Sequence, residues 1–155
     1  MALSTFGAIM GFAAEMVGET RDTYKALIEK AKDPALKEVL QELAGEAGKN
    51  HSLMEKTRRE NVTEMILEPI TGLHHEDYEV DLKGLEQENE GHLLRTALKL
   101  EERERKFFQE ASTKVPLPEV ARIFRKICRK KEENLEKLQG FGLNQTCLSK
   151  VNMSP

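Results

Sequence analysis

The sequence predicts an all-α protein: a four-helix bundle made of two antiparallel helix hairpins joined by one long crossover. Three observations predict it. Apolar residues recur at steps of three and four along separate stretches, which is the spacing of a bundle-facing seam. Two short breaks, Asp33-Pro34 and Pro116-Leu117-Pro118, force the flanking helices to fold back on one another. The halves also repeat, because a shift of 84 residues superposes Ala13 on Ala97, Tyr24 on Phe108, Pro34 on Pro118, Leu43 on Ile127 and Asn50 on Asn134.

Composition agrees with this class. Of 155 residues 33% are charged and 5% aromatic, with no Trp, and Glu, Lys, Leu and Ala dominate. That length suits one domain, with the bundle expected over residues 1–139 and a poorly ordered tail over 140–155. A net charge of −3 argues against a general nucleic-acid or anionic-membrane binder. The basic run Arg122, Arg125, Lys126, Arg129, Lys130 and Lys131 is followed at once by Glu132, Glu133 and Glu136, so it reads as a solvated helix face. Two cysteines, Cys128 and Cys147, form neither a disulfide framework nor paired Cys-x-x-Cys knuckles. Residues 1–14 carry no side-chain charge, but they lack a basic leader and meet Glu15 and Glu19 too early for a membrane span. The expected compartment is the cytoplasm, which leaves the Asn-x-Ser/Thr matches at Asn61 and Asn144 as chance.

Ser4 or Thr5 caps a first helix to about Lys32, with the seam Phe6, Met10, Ala13, Val17, Thr20, Tyr24, Leu27 and Ala31. Ile9, Phe12 and Met16 add a second stripe, which must be covered by the crossover or by a second copy of the chain. A homodimer through this helix is the expected assembly. The second helix starts at Pro34 and ends near Arg59–Asn61, with Leu36, Leu40, Leu43, Ala47, Asn50, Met54 and Thr57 inward. Residues 62–81 lose the period but hold Val62, Met65, Ile66, Leu67, Ile70 and Leu73, too apolar for a free linker; a short helix is expected around Thr63–Leu67. The third helix begins between Leu82 and Gly91 and runs to about Lys114. The fourth runs from Pro118 to about Leu138, ended by Gly140 and Gly142.

The seam of the third helix, Leu94, Ala97, Glu101, Glu104, Phe108 and Ala111, carries two carboxylates on an apolar face. Buried charges require partners. At the same height the other helices offer Val17 and Thr20, Ala47 and Asn50, and Lys131 and Asn134. An ammonium from Lys131 facing Glu101 and Glu104, with Thr20, Asn50 and Asn134 meeting the remaining hydrogen bonds, closes this layer. Two carboxylates against one ammonium leave a formal −1, which a proton on one glutamate or a water reduces. Against this stands a Lys131 that snorkels to solvent and a Glu104 that turns to the rim.

The repeated hairpins, the aromatic seven residues after Glu101 and the Glu104 one turn beyond it resemble the rubrerythrin family of ferritin-like di-iron carboxylate proteins, over residues 5–139. The resemblance implies a non-haem iron peroxidase fold whose metals take a Glu from each of two helices and a Glu-x-x-His from each of the other two. Only Glu101 matches one of those six shared ligands, and Glu104 matches an additional glutamate of the family's third helix. The remaining positions are Val17, Ala47 with Asn50, and Lys131 with Asn134. The expectation is therefore a bundle whose di-iron site is lost to a Glu/Lys/Asn network, which holds no cofactor and serves as a binding or assembly module rather than an enzyme. The competing expectation is an iron-binding oxidoreductase using Glu101 and Glu104, with His51 or Glu46 brought in by an irregularity at Gly45 and Gly48. His51 lies one residue past the seam, about 100° around the helix. His74 and His75 read as a solvated turn, Tyr24 and Phe108 as core packing, and Cys128 as an inert apolar residue.

Overall fold

The computed structural model describes residues 3–61, 70–80, 82 and 89–153, with side chains as far as residue 141. Four α-helices make up the described chain: α1 (Phe6–Lys30), α2 (Pro34–Glu60), α3 (Glu90–Ser112) and α4 (Pro118–Met153). No strand occurs among the described residues, and no helix among them is long and apolar enough to cross a membrane.

Each hairpin follows from its local chemistry. The Thr5 hydroxyl accepts from the Ala8 N–H at 3.0 Å and opens α1. Ala31 leaves the helical conformation, and the Asp33 carboxylate accepts from Ala35 N–H at 3.0 Å with Pro34 as the first residue of α2. The α1–α2 turn is thus too short for anything but a hairpin, and α1 packs along α2 as α3 packs along α4. Asn89 caps α3, while Glu90 accepts from the Lys32 N–H at 2.7 Å and ties the start of the second hairpin to the turn of the first.

Between the hairpins, the described stretch from Ile70 to Val80 lies against the bundle. Ile70 N–H donates to the Ser4 carbonyl at 2.7 Å, and Leu3 N–H to the Leu73 carbonyl at 2.8 Å. Gly72 stands between them at φ +91°, a backbone conformation that side-chain-bearing residues avoid. A 3-10 turn, His75–Tyr78, then sets Tyr78 against α3, where its hydroxyl donates to Glu110 at 2.6 Å. The expected helix at Thr63–Leu67 lies outside the described residues, as do Val62, Met65, Ile66 and Leu67.

The second apolar stripe of α1 is covered by this segment. Ile9 and Met16 are buried, and the Phe12 ring lies 6.0 Å from Tyr78 and 5.2 Å from Phe107. The stripe that suggested a homodimer is therefore used within the chain. The structure differs from expectation in α4, which passes through Gly140 and Gly142 to Met153 instead of ending near Leu138. Glycine disfavours a helix interior by only about 1 kcal/mol, and Phe141 still packs on the buried cluster that holds Leu43, Ala97 and Leu138.

The core falls into two parts. One is rich in aromatics and contains Phe6, Val17, Met54, Tyr78, Phe107, Phe108, Phe124 and Ile127. The other is mainly aliphatic and contains Tyr24, Leu43, Ala47, Ala97, Leu100 and Leu138. Along each helix, polar residues occupy the turn between these parts: Thr20 on α1, Glu46 and Asn50 on α2, Glu101 and Glu104 on α3, Lys131 and Asn134 on α4.

Candidate functional site

Lys131 occupies the centre of that polar layer. Its side chain is 0% exposed, which removes the snorkelling alternative. The Lys131 ammonium lies 3.1 and 3.2 Å from the two oxygens of Glu101, 3.1 Å from Glu46 and 3.5 Å from Glu104. Four methylenes carry a charge from the α4 backbone to the middle of the bundle, where only a carboxylate can stabilise it.

Glu101 is fully enclosed and well satisfied. Besides Lys131, it accepts from the Tyr24 hydroxyl at 2.6 Å and from Asn134 Nδ2 at 2.8 Å. Asn134 Nδ2 also reaches both oxygens of Glu46, at 3.1 and 2.9 Å, and so links the carboxylates of α2 and α3. Tyr24 is thus part of the network as well as of the core. Burial and the charges of Glu101 and Glu104 hold its hydroxyl proton well above the usual phenol range.

Glu104 differs. It points inward as expected and is 0% exposed, but neither of its oxygens has a hydrogen-bond partner among the described residues. Its pKa is raised, first by burial and then by the charge of Glu101; the Lys131 ammonium opposes both. The Thr20 hydroxyl, whose approach falls short of hydrogen-bond geometry, also favours the ionised form. Burial works against the Lys131 charge too, yet Glu104, Glu101 and Glu46 together outweigh it and raise that pKa. With all groups ionised, Glu46, Glu101, Glu104 and Lys131 sum to a formal −2, one unit more negative than the sequence reading, which counted only Glu101 and Glu104. A proton on Glu104 brings the layer to −1.

Other sequence-selected residues are placed less centrally. Thr20 is buried, but its hydroxyl accepts from Arg103 Nη2 at 2.7 Å, not from the carboxylate layer. Arg103 in turn donates to Glu19 at 2.8 Å. Asn50 is half-buried, and its Nδ2 is enclosed with no partner among the described residues, so it does not complete the network. His51 lies on the outer side of α1, its Nδ1 3.5 Å from Arg21, against Gly18. An unbroken α2 runs through Gly45 and Gly48, so nothing rotates His51 inward.

Two further residues take part: Glu46, which the sequence offered only through a helix irregularity, and Arg103, which it did not single out. Glu46 stands one residue before Ala47 and about 100° off the seam, yet its long side chain bends into the layer without any helix shift. It is also where the layer meets solvent, with a side chain 18% exposed on a groove of about 710 Å³ lined by Leu43, Lys49, Asn134 and Leu138. Arg103 is buried and donates to Thr20; its place one position from Glu104 is the sequence signal that could have found it.

The donor set does not fit the di-iron centre of the family the sequence resembles. An ammonium stands between the carboxylates, no imidazole joins them, and α2 and α4 present amides in place of Glu-x-x-His pairs. Among the described residues, no group of three or more His, Cys, Asp or Glu side chains is arranged to hold a metal ion. Comparison with protein-family models, with curated proteins and with solved structures found no significant match.

Proposed function

We propose that this chain is a rubrerythrin-like, ferritin-like bundle that has exchanged di-iron chemistry for a structural ion-pair layer and works as a binding or assembly module. The observation that carries the reading is the Lys131 ammonium, fully enclosed and within 3.2 Å of both Glu46 and Glu101. A tethered cation at the level where the related proteins hold metal supplies the charge that carboxylates need, with no exchangeable ligand. It offers neither an open coordination position nor a redox couple, so the layer contributes architecture. The solvent-facing surfaces are left to carry the activity. The buried free thiol of Cys128, which donates to the Arg105 carbonyl at 3.6 Å, suits a reducing compartment such as the cytoplasm.

Metal analysis of protein expressed in iron-supplemented medium tests this reading. The expected iron content is far below one per chain, with or without anaerobic reconstitution. Two irons per chain, together with peroxidase turnover, would overturn it in favour of an oxidoreductase built on Glu46, Glu101 and Glu104.

A further inference from the structure

The basic run on α4 has a different aspect once the helix is placed. Lys131 turns inside, and the five cations before it, Arg122, Arg125, Lys126, Arg129 and Lys130, are all exposed. At 100° per residue they occupy an arc of about 140°, on a strip about 12 Å long. The following glutamates offset them only in part. Among the described residues the one ion pair these cations make is that of Lys130 with Glu133, at 3.8 Å.

This face works against the helix that bears it. Arg122 with Arg125 and Lys126, Arg125 with Arg129, and Lys126 with Arg129 and Lys130 are like-charge neighbours at three- and four-residue spacing, a pattern that destabilises a helix. Five like charges on one helix face, with a single ion pair among the described residues to offset them, form an arrangement that a partner of opposite charge would compensate.

The surroundings say which kind. Exposed Glu119 closes one end of the strip, and exposed Glu132, Glu133 and Glu136 close the other. A nucleic-acid strand, with a charge every 3.4 Å or so, would run off the strip onto carboxylates at either end. No exposed aromatic or amide side chain lies among residues 119–130 to stack on or read a base. An acidic helix, by contrast, repeats its carboxylates about every 5.4 Å, the pitch at which the α4 cations recur. We infer that the outer face of α4, from Arg122 to Lys130, docks a short glutamate- or aspartate-rich helical segment of a partner protein. The inference names a partner chemistry for the binding-module reading and rests on that reading, but it uses none of the residues of the Lys131 layer.

The test is fluorescence anisotropy of a labelled helical peptide bearing glutamates at successive turns, titrated with the intact protein at low salt. Its glutamine counterpart and single- and double-stranded oligonucleotides serve as competitors. The glutamate peptide should bind, lose affinity steeply as salt rises, and bind roughly tenfold or more weakly to an Arg122→Glu, Arg125→Glu, Arg129→Glu variant. A Lys25→Glu, Lys99→Glu variant, changed on other exposed faces, should bind as the parent does. Replacing the three arginines by Gln should also weaken binding while leaving the melting temperature unchanged or raised, since like-charge repulsion is relieved. Equal binding of both peptides, undiminished binding by either triple variant, or tighter binding of an oligonucleotide than of the glutamate peptide would overturn the inference. Such a failure leaves the Lys131 layer untouched, and iron uptake tests that layer alone.

Discussion

Two adjacent turns of α3 show two ways of holding the same bundle together. Phe107 and Phe108 sit in a ring cluster, with Phe107 5.1 Å from Tyr78 and Phe108 5.1 Å from Phe124, both edge-on. One turn earlier, Glu101 and Glu104 meet Lys131. The aromatic cluster is stabilised by burial and by ring geometry, and it depends on total area more than on any single partner. In the polar layer the opposite holds. Desolvating the carboxylates and the ammonium is unfavourable, and the layer depends on the one Lys131 ammonium shared among Glu46, Glu101 and Glu104. Either region should suffer from a single truncation, but only in the polar one can removing the groups left unpaired repair the damage.

The largest effects should come from single truncations in either region, and the repairs should tell them apart. Lys131→Met leaves Glu101 and Glu46 without their cation and should destabilise by ~3–5 kcal/mol in chemical denaturation. Phe107→Ala should have a similar effect, ~3–5 kcal/mol, through the cavity it opens. Adding Glu101→Leu and Tyr24→Phe to Lys131→Met removes the enclosed stranded pair and leaves Glu46, which reaches solvent, and Glu104, which can take a proton; stability should return to within roughly 1 kcal/mol of the parent or beyond it. No second polar deletion should rescue Phe107→Ala. If the Lys131→Met protein is as stable as the parent, the contrast between the regions collapses.

Tyr24→Phe should have a smaller effect. Its hydroxyl donates to Glu101 at 2.6 Å, and removing a hydrogen bond to a charged group destabilises by about 1.5–3 kcal/mol. Measured in the Lys131→Met, Glu101→Leu background, the same change should be close to neutral, because the acceptor has gone.

Glu104→Gln should give the smallest change and the most informative sign. The carboxyl of Glu104 is raised above the ordinary value of 4.5, so its protonated form is the one the fold prefers. Its contribution to stability is fully present below pH 4.5 and is lost as pH rises through the raised value. The parent should therefore lose ground to the Glu104→Gln variant between pH 4.5 and neutrality, which paired unfolding curves across that range measure. A variant that instead weakens steadily relative to the parent over this window would show that Glu104 is held ionised by Lys131.

How much of this was legible in the sequence differs by region. The helices were, because capping chemistry at Thr5, Asp33-Pro34 and Pro118 and apolar steps of three and four are local signals. The inward placement of Glu101, Glu104 and Asn134 followed from the same periodicity. Glu46 did not, because periodicity assigns a Cβ direction and a glutamate side chain can depart from it by several ångströms. Asn50 failed in the reverse way, standing on the seam while its Nδ2 finds no partner among the described residues. The Phe12 stripe showed that something had to cover it, but not that Tyr78 and His75 do so.

The sequence alone determined four helices, two hairpins and a polar layer at one height, since these depend on spacing along a chain of fixed geometry. Only the tertiary structure decided that Lys131 points inward, that Glu46 joins Glu101 around it, and that Glu104 is left without a hydrogen bond. Long flexible side chains choose among directions by which charges their neighbours bring within a few ångströms, and that is a property of the packed helices together.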